Sequence, residues 1–219
     1  MIGMAIALAS SPAGTKVFSE ELVVYKRNAS AGHSSLAYYL AKTIAVFPRI
    51  FLAGIHFSGV LFYLSSPVIP FWIEWLMITL FVYCVYGLCA FVSMVVKREN
   101  STLLAVVFAL FSSVFCGYGP TLKEARRLNL KFVWDASYAM YATEAHFSET
   151  LGVYDHVFDN SYANDFFGFE LNRTLFDFVM MFVIGTLWRV IAYIAMIVFV
   201  YPDASSNKLK QCRSARSQS

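Results

Sequence analysis

Charge is scarce in this chain. Of its 219 residues 14% are charged and 58% hydrophobic, and the mean hydropathy is +0.59. A soluble domain carries about 25% charged residues, so this chain has too little polar surface to cover itself in water. Cysteine is also sparse: Cys84, Cys89, Cys116 and Cys212 show no paired spacing, which excludes a disulfide framework and a zinc site. Cys212, in a basic tail beyond the last apolar run, is a candidate palmitoyl acceptor, with a free thiol as the plainer reading. His33, His56, His146 and His156 are scattered and form no H-E-x-x-H pair. Asp155, His156 and Asp159 are neighbours, but a solvated loop face outweighs a metal site there. The phosphate-cradling pattern G-x-x-x-x-G-K-[ST] is absent, since Gly14-Thr15-Lys16 has the wrong order and no upstream glycine. No serine or cysteine nucleophile signature occurs. The chain carries no catalytic constellation and reads as non-enzymatic.

What is abundant is long apolar sequence. Four runs stand out, at 45–65, 68–96, 102–117 and 175–201, and a crossing helix needs about 20 such residues. The second run is long enough to cross with tilt, or to include an interfacial turn around Trp72, Glu74 and Trp75. The third ends in the helix-breaking Gly117-Tyr118-Gly119-Pro120. A fifth apolar piece, 1–13, is too short to cross. It has no basic residues ahead of its core, which argues against a signal peptide and for the end of a truncated span.

Lys and Arg set the orientation. Segment 14–49 holds Lys16, Lys26, Arg27, Lys42 and Arg49, the 97–101 connection holds Lys97 and Arg98, and the tail from 202 holds Lys208, Lys210, Arg213 and Arg216. These segments share one side if all four runs cross, and they carry eleven basic residues against four acidic. The long segment 118–174 has five basic and eight acidic residues. The positive-inside rule therefore places the basic segments and the C-terminus in the cytosol and 118–174 outside. The expected class is all-α: a polytopic membrane helical bundle of four full spans plus the end of a fifth. Before the last span comes a large extracellular loop, rich in aromatics and helical over 136–150, suited to re-entrant or interfacial helices. Asn172-Arg173-Thr174 is a glycosylation sequon on the outer side, almost at the membrane; those at Asn28 and Asn100 fall in the cytosol.

Two ionisable residues lie at membrane depth, where each costs several kcal/mol unless paired or hydrated. Arg49, one turn into its run, can snorkel to the interface or line a polar entrance. Arg189, near the middle of the last run, calls for a partner such as Glu74 or a carbonyl of another span.

Segment 18–42, FSEELVVYKRNASAGHSSLAYYLAK, resembles the cytosolic loop and connecting helix before the third span in the G subfamily of ABC transporters, the pleiotropic-drug-resistance and white type. Phe18, Glu21, Tyr25, Arg27, Gly32, Ala37, Tyr38, Lys42 and Pro48 carry the match. Phe115-Cys116-Gly117 with Pro120, then Trp134, Ser137, Tyr141 and Glu144-Ala145, resembles the end of span five and the start of the outer loop. Arg189 to Tyr193 resembles the final span. Two positions depart: Asn28 stands where the family usually has Glu, and Ala45-Val46-Phe47 replaces an acidic residue before the proline. A charge relay joining that Glu to Arg49 is therefore in doubt.

The resemblance implies the C-terminal part of a type-2 exporter membrane domain, with 1–13 as the tail of span two. On this reading 14–44 is the cytosolic loop and connecting helix, and 202–219 a basic cytosolic tail. It implies an ATP-driven exporter of lipophilic or amphipathic substrates in the plasma membrane. ATP and Mg belong to a nucleotide-binding domain that this chain does not contain. The implied partners are that domain, a second membrane domain, membrane lipids and a lipophilic small molecule, with no nucleic acid. Phe18, Glu21, Tyr25 and Arg27 would belong to the coupling loop against the ATPase domain. Val106, Leu110, Phe111, Val114 and Tyr118 would line the substrate pathway. The alternative is a truncated, non-transporting membrane subunit or a fragment without independent activity.

Overall fold

A computed structural model describes residues 2–117, 121–154 and 166–200. Tyr118, the Asp155–Asp159 cluster and Cys212 lie outside the described residues. Among those described, every regular element is helical: α1 (Ile2–Ser19), α2 (Leu22–Ser30), α3 (Ser35–Ser65), α4 (Phe71–Val95) and α5 (Arg98–Val114). Then follow α6 (Leu122–Arg127), α7 (Lys131–Asp135), α8 (Tyr138–Tyr154) and α9 (Thr174–Ala195), the last continuing into a π-helical turn, Met196–Val200.

Among the described residues three helices are long and apolar enough to cross a membrane: α3, α4 and the segment Thr174–Phe199. α5 is 17 residues long, with Arg98 and Glu99 in its first turn. At 1.5 Å per residue it reaches about 25 Å, short of a hydrocarbon core of about 30 Å. α3 runs unbroken from Ser35, so the connecting helix and the apolar run 45–65 are one rod. Pro48 sits inside it, withholding an amide hydrogen from the carbonyl one turn earlier without ending the helix.

α4 is the central post, buried along nearly its whole length. α1, α3 and α9 all pack on it. Close approach is made by small residues, as expected where lipid supplies no hydrophobic drive between helices. A Cβ on Gly87 of α4 would meet the Gly185 carbonyl of α9 at 2.8 Å, and one on Gly185 would meet the Tyr83 ring at 2.5 Å. The Cys84 thiol donates to the Met181 carbonyl at 3.0 Å, and the Tyr83 hydroxyl lies 3.0 Å from Thr186 Oγ1.

α1 extends six residues past the apolar piece 1–13. Its hydroxyls bond its own carbonyls: Ser10 to Ile6 and Ser11 to Ala7, both at 2.6 Å. Serine is thereby satisfied inside the helix and does not break it. The facing stripe on α5 is Ser101, Ala105, Ala109 and Ser113, all buried, and Thr15 meets Thr102 at 3.2 Å.

The segment after α5 folds back onto the bundle. α6 opens with a capping box between Thr121 and Glu124. Ser137 donates to the Ser112 carbonyl at 2.8 Å, and Tyr138, the first residue of α8, packs edge-on against Phe81 of α4 at 5.0 Å. The first turn of α8 is buried on all sides, and later only Glu144, Ala145 and Ser148 are. α8 is therefore plugged into the bundle at one end. Its outer half holds the approach to α9: Glu144 accepts from the Glu170 amide at 2.6 Å, and Ser148 from the Asn172 amide at 3.0 Å. Phe169 stacks over Gly117, whose φ of +88° and lack of a Cβ both suit glycine.

Candidate functional site

The turn after α1 and α2 are fixed by aromatic residues. Phe18 stacks on Tyr39 at 5.4 Å, Tyr25 packs on Tyr38 at 4.8 Å, and Tyr39 meets Tyr193 at 5.4 Å. The Tyr25 hydroxyl donates to Ser35 Oγ at 2.7 Å. Phe18, Tyr25, Tyr39, Ala90, Met94, Ala192, Ala195 and Met196 form one buried cluster, separate from the main core. It joins α1, α2, α3, α4 and α9 at one end of the bundle. Glu21 forms an ion pair with Lys42 of α3.

The four residues of the expected coupling loop therefore divide. Phe18 and Tyr25 point inward and are buried, Glu21 ties the segment to α3, and Arg27 is exposed. Val24, also exposed, shares the outer side of α2 with Arg27 and was not singled out by the sequence pattern. The i, i+3 spacing from Val24 to Arg27 was the signal.

On α5 the buried alanine and serine stripe turns the opposite side outward. Leu104, Val107, Phe108, Phe111 and Val114 are exposed. Of the pathway candidates, Phe111 and Val114 lie on this open face, while Val106 and Leu110 are half-buried on its flank. Val107 and Phe108, one turn back from Phe111, belong to the face and were not anticipated.

Arg189 is buried in α9, with Nη1 donating to the carbonyls of Tyr83 and Gly185, each at 2.9 Å. Its guanidinium lies over the Tyr83 ring at 3.6 Å from the centroid. Its own carbonyl accepts from the Tyr39 hydroxyl at 2.8 Å. Of the two kinds of partner expected, the inter-span carbonyl is the one found. Glu74 stands nine residues before Tyr83 on α4, about 13 Å away along the axis. Arg49 is exposed on α3. Asn172 is exposed just before α9, at a left-handed φ of 63°.

Glu74 instead faces α8. It is buried to 2% exposure, and its Oε2 lies 3.5 Å from Nδ1 of His146 on α8. Neither atom completes a hydrogen bond. No group of three or more His, Cys, Asp or Glu able to hold a metal occurs among the described residues.

A bundle of apolar helices around a buried central post, its buried arginine held by carbonyls, defines an integral membrane protein. The chain belongs to the ABC-2 type transporter family, whose family model matches residues 2–201. It is 28% identical over 159 residues to the ABC-type transporter claG of Penicillium crustosum, covering 73% of this chain and 21% of that protein. It is 20% identical over 198 residues to a putative white-brown complex homolog protein 30 of Arabidopsis thaliana, covering 90% of this chain and 18% of that one. The relatives are consistent with the G subfamily, and the chain spans about a fifth of the length of each.

Proposed function

We propose that this chain is the membrane-crossing portion of an ATP-driven exporter of lipophilic or amphipathic molecules. It would work with a nucleotide-binding domain and a second membrane domain. ATP and Mg would act on that nucleotide-binding domain, so this chain contributes the path and the mechanical linkage. The observation that carries the reading is the mounting of α2, whose Tyr25 joins a buried cluster with four other helices while Val24 and Arg27 stand outward. A segment anchored to the bundle with an exposed surface is what a motor domain needs in order to move it. The eleven basic residues on that side support a cytosolic location for α2 and the C-terminus, with the plasma membrane as the proposed site.

The open face of α5 supports the pathway. Phe111 and Val114, with Val107 and Phe108, offer an apolar aromatic surface suited to a lipophilic substrate, flanked by Val106 and Leu110. Coupling is tested by placing cysteine at position 27 in a cysteine-depleted chain. This is assembled with the nucleotide-binding domain of a G-subfamily transporter carrying single surface cysteines. Disulfide cross-links that form at position 27 and not at the exposed Leu52 of α3 are expected. Equal cross-linking at both positions contradicts the reading.

A further inference from the structure

A cavity of about 300 Å³ opens between the first turns of α1 and α4, the end of α5 and α8. It stands apart from the pathway reading, since Val106, Leu110, Phe111 and Val114 do not line it. Its walls are mostly apolar, including Met4, Met77, Ile78 and Phe81. One lining residue is formally anionic, Glu74, whose Oε2 is buried without a hydrogen-bond partner. Among the described residues the other titratable side chains on the wall are those of His146 and Cys116, and no lysine or arginine lines it. His146 Nδ1, 3.5 Å from Glu74 Oε2, also lacks a hydrogen bond. A buried carboxylate oxygen without a hydrogen bond is costly, and with His146 the one basic side chain among the described lining residues, a cation in the cavity can complete its partners.

We propose that this cavity binds a lipophilic cation, an aryl or alkyl body carrying one protonated amine. The ammonium would donate to Glu74 Oε2, with His146 Nδ1 close beside it. Phe81, two turns along α4 from Glu74, adds an aromatic wall for the apolar body. Met4 and Met77 give an adaptable wall for apolar bodies of different shape. The volume lies at the small end of ligand pockets, so a single ring with a short chain fits better than a fused polycycle. Anions are disfavoured by Glu74, and uncharged apolar molecules leave its oxygen unpaired.

The test is calorimetric titration of the purified chain in lipid nanodiscs with 4-phenylbutylamine, 4-phenylbutanol and 4-phenylbutyrate, after subtraction of empty discs. These probes share one apolar body, so membrane partitioning is matched except for charge. The expected result is saturable binding of the amine, at least tenfold weaker binding of the alcohol and none of the acid. Glu74→Gln should weaken the amine at least tenfold and erase its advantage over the alcohol, while Leu52→Ala on exposed α3 leaves both unchanged. Should Glu74→Gln fail to fold, Ala142→Phe, which fills the cavity from α8, should abolish amine binding. Equal binding of the three probes, no saturable amine binding, or full amine preference in Glu74→Gln or Ala142→Phe overturns the proposal.

Discussion

Arg189 on α9 holds Tyr83 on α4 twice: its guanidinium lies over the ring at 3.6 Å, and Nη1 donates to the Tyr83 carbonyl at 2.9 Å. Lysine, a point charge without a planar fork, cannot stack on the ring and reach both carbonyls. Arg189→Lys should therefore lower stability by about 1–2 kcal/mol, the range for interhelical polar contacts in membranes. Thermal unfolding in detergent measures this, and an unchanged midpoint would show that the clamp does not hold α4 to α9.

The same interface has no room for a methyl group. A Cβ on Gly185 would meet the Tyr83 ring at 2.5 Å, whereas one on Gly59 of α3 meets nothing within 4 Å. Gly185→Ala should destabilise by about 1–3 kcal/mol through overpacking. Gly59→Ala should be neutral or stabilise by up to about 1 kcal/mol through helix propensity. Equal unfolding midpoints for the two variants would mean that α4 and α9 separate more easily than the packing implies.

The clamp of α8 on the segment before α9 should respond to pH. Burial raises the Glu144 carboxyl from an ordinary 4.5 to about 7, against Arg173, Arg126 and Lys131, which pull it down. The folded chain then holds a proton that the unfolded chain releases between these values. The contribution of this group is thus complete below about pH 4.5 and is lost as pH rises through about 7. Unfolding midpoints compared at pH 5 and pH 8 should fall with rising pH in the native chain, and fall less in Glu144→Gln. An identical decline in both would remove Glu144 from the explanation.

Residues on the two sides of α5 should behave differently. Phe111→Ala and Phe108→Ala, on the open face, should leave unfolding within about 0.5 kcal/mol of the native chain while shifting the concentration for half-maximal transport at least threefold. Ala109→Leu, on the fully buried side, should destabilise by about 1–3 kcal/mol. Kinetics unmoved by either phenylalanine change would place the pathway elsewhere.

Much of the bundle was legible from hydropathy, because α3, α4 and α9 are long apolar segments whose signal is local. The family pattern around Phe18 and Tyr25 was legible too, since it lies within one short segment. Less visible was which of those residues face inward, because the aromatic cluster draws on Tyr39, Met94 and Met196 from three other helices. α1 outran its apolar run because Gly14, Thr15 and Lys16 close that run on a hydropathy scale, yet Gly14 packs against Cys89 and the Thr15 hydroxyl is satisfied one turn back at the Ser11 carbonyl. The meeting of Glu74 with His146, 72 positions apart, has no signal in either segment. It depends on α8 folding back onto α4.

The central claim is that α2 transmits ATP-driven motion to this bundle. The direct measurement is efflux of a fluorescent lipophilic amphiphile from proteoliposomes holding the chain assembled with a G-subfamily nucleotide-binding domain. ATP-dependent, vanadate-sensitive efflux is expected, falling at least fivefold in Arg27→Glu while unfolding stays within about 0.5 kcal/mol of the native assembly. Native-level efflux in Arg27→Glu, or ATP hydrolysis with no efflux in the native assembly, would contradict it.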